Sequence, residues 1–261
     1  MGSTAENRTV LVTAGASGIG RVTAEAFLAA GHRVHVCDVS PEALTNLARE
    51  NPAIGASRAD VSAVADVDAL FTEIEARYGR LDVLVNNAGI SGPSAPVEEV
   101  SPEDWDRTLA VDLSGAFYVT RKAVPLLKRR GGAIVNMSST AGLFGCPLRS
   151  PYVAAKWAII GLTKTWAMEL GPFGVRVNAI CPGSVNGPRI EGVIERDAAS
   201  RGMMPDAIRD VYLRQSSMRC FAEAEDVAQM ALYLCSPVGV RISGQAIGLD
   251  GHTESLANWL D

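Results

Sequence analysis

Arg8-Thr9-Val10-Leu11-Val12-Thr13-Ala14-Gly15-Ala16-Ser17-Gly18-Ile19-Gly20 is the stretch that decides the fold. Its first six residues read as a buried strand, which runs directly into a glycine-rich turn. A helical pattern follows from Arg21 to Ala30 and is ended by Gly31. A glycine turn between strand and helix lets the backbone approach a pyrophosphate, whose charge is met by free amides and the helix dipole. The next strand, His32 to Cys37, ends in Asp38, where a dinucleotide fold places an acid on the adenosine ribose hydroxyls. The alternative is that Asp38 is a turn residue, because Ser40-Pro41-Glu42 reads as an N-cap, a first-turn proline and an acid near the dipole. Asp38 precedes that cap and is not needed for it. An acid there repels the extra phosphate of NADP, and neither Ser17 nor Val39 offers a cation to attract it, so NAD is the expected cofactor.

Tyr152 and Lys156 are four residues apart in Tyr152-Val153-Ala154-Ala155-Lys156, with Ser139 a short loop upstream. Side chains at i and i+4 share a helix face, so an ammonium lies beside a phenol. One unit charge at ~4 Å in a medium of effective dielectric ~20 is worth about 4 kcal/mol to a phenolate, enough to make it accessible near neutral pH. A bound oxidised nicotinamide, itself positive, adds to this. Taken alone, the pair is more often a snorkelling lysine beside a half-buried tyrosine.

With the glycine turn and Asp38, these residues resemble the short-chain dehydrogenase/reductase family, from Thr9 to about Gly251. Thr13 to Gly20 is similar to the family's cofactor turn, which puts Gly15, Ser17, Gly18, Ile19 and Gly20 on the dinucleotide. Asp60-Val61 resembles its adenine-holding pair, Asn86-Asn87-Ala88-Gly89 its post-strand signature, and Pro182-Gly183, followed by Val185, its turn beside nicotinamide. Ile134-Val135-Asn136-Met137-Ser138-Ser139 resembles the strand that delivers the catalytic serine. The resemblance implies that Ser139 holds the substrate oxygen, Tyr152 passes the proton, and Lys156 binds the nicotinamide ribose while favouring the phenolate. Ser138 competes with Ser139, but the family's serine is the second of such a pair.

Three positions depart from the family pattern. Ala14 stands where the turn commonly has its first glycine, which is tolerable if it keeps a negative φ. Asp112, in Val111-Asp112-Leu113-Ser114-Gly115, replaces an asparagine whose carbonyl holds a water linked to the lysine. Its carboxylate either lies near Lys156 as part of the catalytic group or bonds a neighbouring loop. Gly187 replaces a threonine that commonly touches the cofactor, a loss of one hydrogen bond worth ~1 kcal/mol.

A chain of 261 residues with 48% hydrophobic content suffices for one α/β domain spanning 1–261. Strand-like runs at Val34 to Cys37, Leu81 to Asn86, Ala133 to Met137 and Val175 to Cys181 alternate with helical stretches. That alternation implies a single Rossmann-like doubly wound parallel sheet with helices on both faces and the site at the strands' carboxyl ends. The net charge of −5, from 24 basic and 29 acidic residues without a basic block, argues against nucleic acid or an anionic membrane as partner. Cys37, Cys146, Cys181, Cys220 and Cys235 lie in apolar contexts without paired spacing, so buried thiols in a reducing compartment are expected, and no metal is assigned. Met1 to Asn7 lack an apolar leader and no run is long enough to span a bilayer, so a cytoplasmic enzyme is the default.

Trp157, Ala158, Ile159, Ile160, Leu162, Trp166 and Met168 leave the catalytic helix little polar face, which predicts a homo-oligomer; burial under the chain's own C-terminal segment is the alternative. Residues from about 186 to 220 form the expected substrate lid. Arg149 and Arg189 suit a carboxylate, sulfonate or phosphate on the substrate through paired donors. The alternatives are solvated or interface arginines, with Leu143, Phe144 and Ile190 lining an apolar pocket instead. The resulting reading is reversible hydride transfer between NAD and a small secondary alcohol or ketone. Its rivals are an NADPH-dependent acyl-chain ketoreductase and a noncatalytic NAD-sensing protein.

Overall fold

The computed structural model describes residues 7–256. Seven strands form one sheet: β1 (Thr9–Thr13), β2 (Arg33–Asp38), β3 (Gly55–Arg58), β4 (Val83–Asn86), β5 (Gly132–Met137), β6 (Val175–Pro182) and β7 (Ala246–Leu249). They pair in the order β3-β2-β1-β4-β5-β6-β7, every pairing parallel. Order reverses between β1 and β4, which opens a crevice at their carboxyl ends. The helices are α1 (Gly18–Ala29), α2 (Pro41–Glu50), α3 (Val64–Tyr78), α4 (Pro102–Leu109), α5 (Gly115–Leu127), α6 (Ser150–Leu170), α7 (Pro188–Arg201), α8 (Pro205–Arg214) and α9 (Ala224–Cys235).

Strand periodicity divides the core. Val10, Val12, Val34, Val36, Val83 and Val85 pack with α1 and α9 through Ala24, Phe27, Val227, Ala231 and Leu234. Leu11, Leu84, Ile134 and Val177 face the opposite way, against α3, α5 and α6 through Leu70, Ile74, Val119, Leu127, Trp166 and Leu170. Both faces are therefore covered, which explains why these strands read as nearly continuous apolar runs. Strands β3, Gly55-Ala56-Ser57-Arg58, and β7, Ala246-Ile247-Gly248-Leu249, are four-residue edge strands, and of the two only β7 is apolar throughout. Helices α7 and α8 share a small core of their own, Ile190, Ile194, Ala198, Ile208 and Phe221.

Part of α6 is covered within the chain itself. Ala155, Ile159, Thr163, Trp166 and Leu170 of α6 are buried, whereas Trp157 is 51% and Met168 80% exposed, and Phe117 on α5 is also exposed. The cysteine expectation needs correction: Cys37, Cys181 and Cys235 are buried, Cys146 is half-buried, and Cys220 is exposed, in a turn after Arg219, whose φ is +54°. Among the described residues no helix is long and apolar enough to cross a membrane.

Candidate active site

The glycine turn is held at the switch point from both neighbouring strands. Asn87 and Ala88 donate their backbone N–H to Thr13 Oγ1 at 3.0 and 2.9 Å, and Asn87 Nδ2 donates to the carbonyls of Thr13 and Ala14 at 3.0 and 3.2 Å. Gly15 N donates to Cys37 O at 3.1 Å. These bonds impose a conformation that overturns one expectation: Ala14 has φ +48°, not a negative value. A left-handed alanine costs roughly 1–2 kcal/mol, which the bracing at Asn87 offsets. Gly18 also has a positive φ, +52°, with nothing within 4 Å of an added Cβ. Gly15 and Gly20 are needed for closeness instead: a Cβ would lie 2.6 Å from Val36 Cγ1 and 2.1 Å from Ala14 O respectively. Ser17 precedes α1 without capping it by its side chain, so the first-turn amides, Ile19 among them, have no side-chain cap.

Asp38 ends β2 beside this turn. Its Oδ2 accepts from Ala16 N at 3.2 Å and its Oδ1 from Ser40 N at 3.0 Å, while Ser40 caps α2 through Ala43 N at 3.2 Å. The carboxylate thus has a turn role as well as its place at the crevice. Asp60 accepts from Ser62 N and Oγ, and Val61 is buried against Gly115, where a Cβ would meet Val61 Cγ2 at 2.6 Å.

Beneath the site runs a buried polar chain that the strand pattern did not reveal. Asn86 Nδ2 donates to Thr120 Oγ1 at 2.9 Å and to Asn136 Oδ1 at 2.8 Å, and Asn136 Nδ2 donates to Thr163 Oγ1 at 2.9 Å. Asn86 and Asn136 are register partners on β4 and β5, so two asparagines at equivalent ends of two apolar strands were the available signal. The chain fixes β4, β5, α5 and α6 relative to one another.

At the end of β5 the two serines separate. Ser138 is buried and donates to Lys156 O at 2.9 Å; Ser139 is partly exposed and accepts from Ala141 N at 3.1 Å. Lys156 is buried, with Nζ 3.2 Å from Met137 O and 3.2 Å from Asp112 Oδ2, and 5.4 Å from the Tyr152 ring centroid. Asp112 lies in a π-helical turn, Ala110–Ser114, and its Oδ1 accepts from Ile90 N at 2.7 Å. Both alternatives for Asp112 therefore hold together: it faces the lysine and ties the loop after Gly89. Gly89 leaves room for the pair, since a Cβ would lie 3.2 Å from both Asp112 Oδ2 and Lys156 Nζ.

Gly183 pairs with β7 through Leu249 O at 3.0 Å and abuts Asp250, following Pro182 at the end of β6. Val185 bridges to Ala222. Gly187 has φ +137° and ψ 178°, a region essentially reserved for glycine, so its replacement of threonine is dictated by the entry to α7. Beyond it, Arg189 Nη1 lies 3.4 Å from Gly89 O, across the crevice. Arg149 Nη2 donates to Ser91 O at 2.7 Å, and its Nε is enclosed without an acceptor. The guanidinium carbons of Arg149 and Arg189 are 5.0 and 5.9 Å from the Tyr152 ring centroid. Tyr212 of α8 is pushed up to about 12 by burial and by Asp197, with Arg149 opposing. Burial likewise pushes the Cys181 thiol up to about 11, which keeps it a neutral packing group.

A family model described as enoyl-(acyl carrier protein) reductase matches residues 13–252. The chain is 39% identical to the 3-oxoacyl-[acyl-carrier-protein] reductase of Thermotoga maritima over 251 residues, 94% of this chain and 97% of that one. It is 35% identical to the D-beta-hydroxybutyrate dehydrogenase of Rhizobium meliloti over 252 residues, again 94% and 97%. The structure of NAD+-bound xylitol dehydrogenase superposes with a TM-score of 0.90 at 27% identity, over 96% of this chain and 100% of that one. The parallel sheet, the braced glycine turn and these relatives together establish that the chain is an oxidoreductase belonging to the short-chain dehydrogenase/reductase family.

Proposed function

We propose that the protein interconverts a secondary alcohol and a ketone by hydride transfer with NAD, with Tyr152 carrying the proton. The observation that carries this reading is the anchoring of Lys156, and with it the Tyr152 turn of α6, to the end of β5 beside Ser139. The dinucleotide suits the residues present. Open space above Gly18, close approach at Gly15 and Gly20, and uncapped amides beside Ser17 and Ile19 fit a pyrophosphate. Asp38 fits ribose hydroxyls and disfavours a phosphate there. Asp60 and Val61 would flank adenine, while Asn87, Ala88, Gly89, Pro182, Gly183 and Val185 would line the nicotinamide half, with Tyr152 and Lys156 on its ribose. When bound, the cofactor supplies the hydride acceptor.

The chain's own residues supply the rest. Because Ser139 Oγ accepts from Ala141 N, its proton is left to hold a substrate oxygen. Tyr152 takes the hydroxyl proton in oxidation and returns it in reduction. Asp112 and the Met137 carbonyl fix the Lys156 ammonium in place. Helices α7 and α8 act as the substrate lid of a single-domain enzyme. The exposed Trp157, Met168 and Phe117 support self-association through α5 and α6, which light scattering tests. Tyr152→Phe is expected to remove most turnover while NADH binding, read by fluorescence, persists. Wild-type turnover by this variant would refute the mechanism. The identity to an acyl-carrier-protein reductase favours acyl-chain ketoreduction as a second reading, which a clear preference for NADP in a cofactor titration would promote.

A further inference from the structure

We infer that the substrate carries an oxyanion, a carboxylate or sulfonate, held beside Tyr152 by Arg149 and Arg189. The inference rests on the hydride-transfer reading, because Tyr152 marks where the reacting carbinol sits.

Some of the cations around the site are matched by acids, and of those that are not, Arg149 and Arg189 lie on the Tyr152 ring. Arg201 pairs with Asp197 at 2.6 Å, and Arg209 pairs with Glu191, so acids of α7 neutralise these two lid arginines. Lys156 is matched by Asp112. Arg149 and Arg189 differ: among the described residues, neither has a carboxylate within ion-pair distance, yet both converge on the Tyr152 ring. Two formal positive charges are left uncompensated at a half-buried tyrosine.

Their hydrogen bonding leaves donors to spare. Arg149 is fixed at one end by its bond to Ser91 O, while its enclosed Nε has no acceptor. The enclosed Nε is shut off from the crevice, so the donors open to an anion are the Nη groups of Arg149, which suit an oxygen of a carboxylate or sulfonate. Arg189, in the first turn of α7, has a long contact to Gly89 O, two residues from the Ser91 that holds Arg149. Arg149 is held by a short bond and the exposed Arg189 by a long one, so an anion bound by both would tie the start of the lid to the Tyr152 side of the crevice. Because both cations lie within 6 Å of the ring bearing the reacting hydroxyl, anion and carbinol belong to one small molecule.

The test pairs turnover with binding. With NAD, 3-hydroxybutyrate and 3-hydroxybutane-1-sulfonate are compared with the methyl ester of 3-hydroxybutyrate. The acids should have the lower KM, and Arg149→Ala and Arg189→Ala should each raise it by about tenfold or more, with a much smaller effect on the ester. Arg149→Lys should recover part of the loss. The carboxylate and sulfonate arms show which oxyanion the pair prefers. Independently of turnover, acetoacetate should bind the NADH complex of Tyr152→Phe more tightly than methyl acetoacetate, and Arg149→Ala or Arg189→Ala added to that variant should erase the difference. Equal binding of acid and ester, or equal effects of the variants on both, would overturn the oxyanion site while leaving hydride transfer intact. Acetoacetate binding without turnover of any alcohol or ketone would instead overturn the hydride-transfer reading. If Arg149 served only to anchor Ser91, its removal would impair acid and ester alike.

Discussion

Removing the Asp112 carboxylate should destabilise the protein chiefly by stranding Lys156. The two groups are 3.2 Å apart, with side chains 5% and 0% exposed. At an effective dielectric of ~20, their attraction at that distance is about 5 kcal/mol. Breaking one partner of a buried pair typically costs about 3–5 kcal/mol, because the remaining charge is left uncompensated. Asp112→Ala also removes the acceptor for Ile90 N–H, so a loss in the upper part of that range is expected. For a chain of this size it corresponds to a fall in Tm of roughly 10 °C. Asp112→Asn retains an acceptor for Ile90 and a dipole toward Lys156, and should cost distinctly less. Equilibrium urea denaturation of Asp112→Ala, Lys156→Met and the double variant, at one protein concentration, isolates the coupling. The double variant should be more stable than the sum of the singles predicts, by about 2 kcal/mol or more. A coupling below about 0.5 kcal/mol, or equal losses for Asp112→Ala and Asp112→Asn, would refute the argument.

Three further outcomes are expected. His35 is enclosed between Ser57 and Tyr78, and burial lowers it from 6.5 to about 4. The unfolded chain therefore binds a proton that the folded one does not, so stability present above pH 6.5 is lost as pH falls toward 4, by up to about 3 kcal/mol. His35→Gln should flatten this part of a urea-midpoint against pH curve, and an unchanged slope would count against it. Asp38→Ser combined with Val39→Arg should move the ratio of kcat/KM values from NAD toward NADP, whereas retention of NAD preference would show that Asp38 does not set it. Gly187→Thr should fail to tighten NADH binding and should cost about 1–3 kcal/mol, because no threonine adopts φ +137° without strain. Tighter binding with undiminished stability would contradict that backbone argument.

Much of the architecture was legible locally. The apolar runs of β1, β2, β4, β5 and β6 are buried on both faces, so they stand out without alternation, and the glycine turn with the Ser40 cap marks adjacent element ends. Strands β3 and β7 were not legible, because each is a four-residue edge strand, too short to show a sustained pattern. The choice of Ser139 over Ser138 came from family resemblance, and the fold separates the two physically by turning Ser138 inward onto the Lys156 carbonyl. Of the asparagine and threonine chain beneath the site, only the two asparagines at the ends of β4 and β5 gave a sequence signal; their joining through Thr120 and Thr163 of α5 and α6 depends on packing.

The sequence by itself determined the alternation of β1, β2, β4, β5 and β6 with helical stretches, the i to i+4 pairing of Tyr152 with Lys156, and the acid at the end of β2, because each follows from chemistry within a few residues of chain. The tertiary structure alone decided the rest. It set the sign of φ at Ala14, through side-chain bonds from Asn87, and the neutralisation of Lys156 by Asp112 from a helix before β5. It also distinguished Arg149 and Arg189 from the lid arginines that have acidic partners. These depend on which distant side chains share a few cubic ångström, and such proximity is a property of packing that no local pattern encodes.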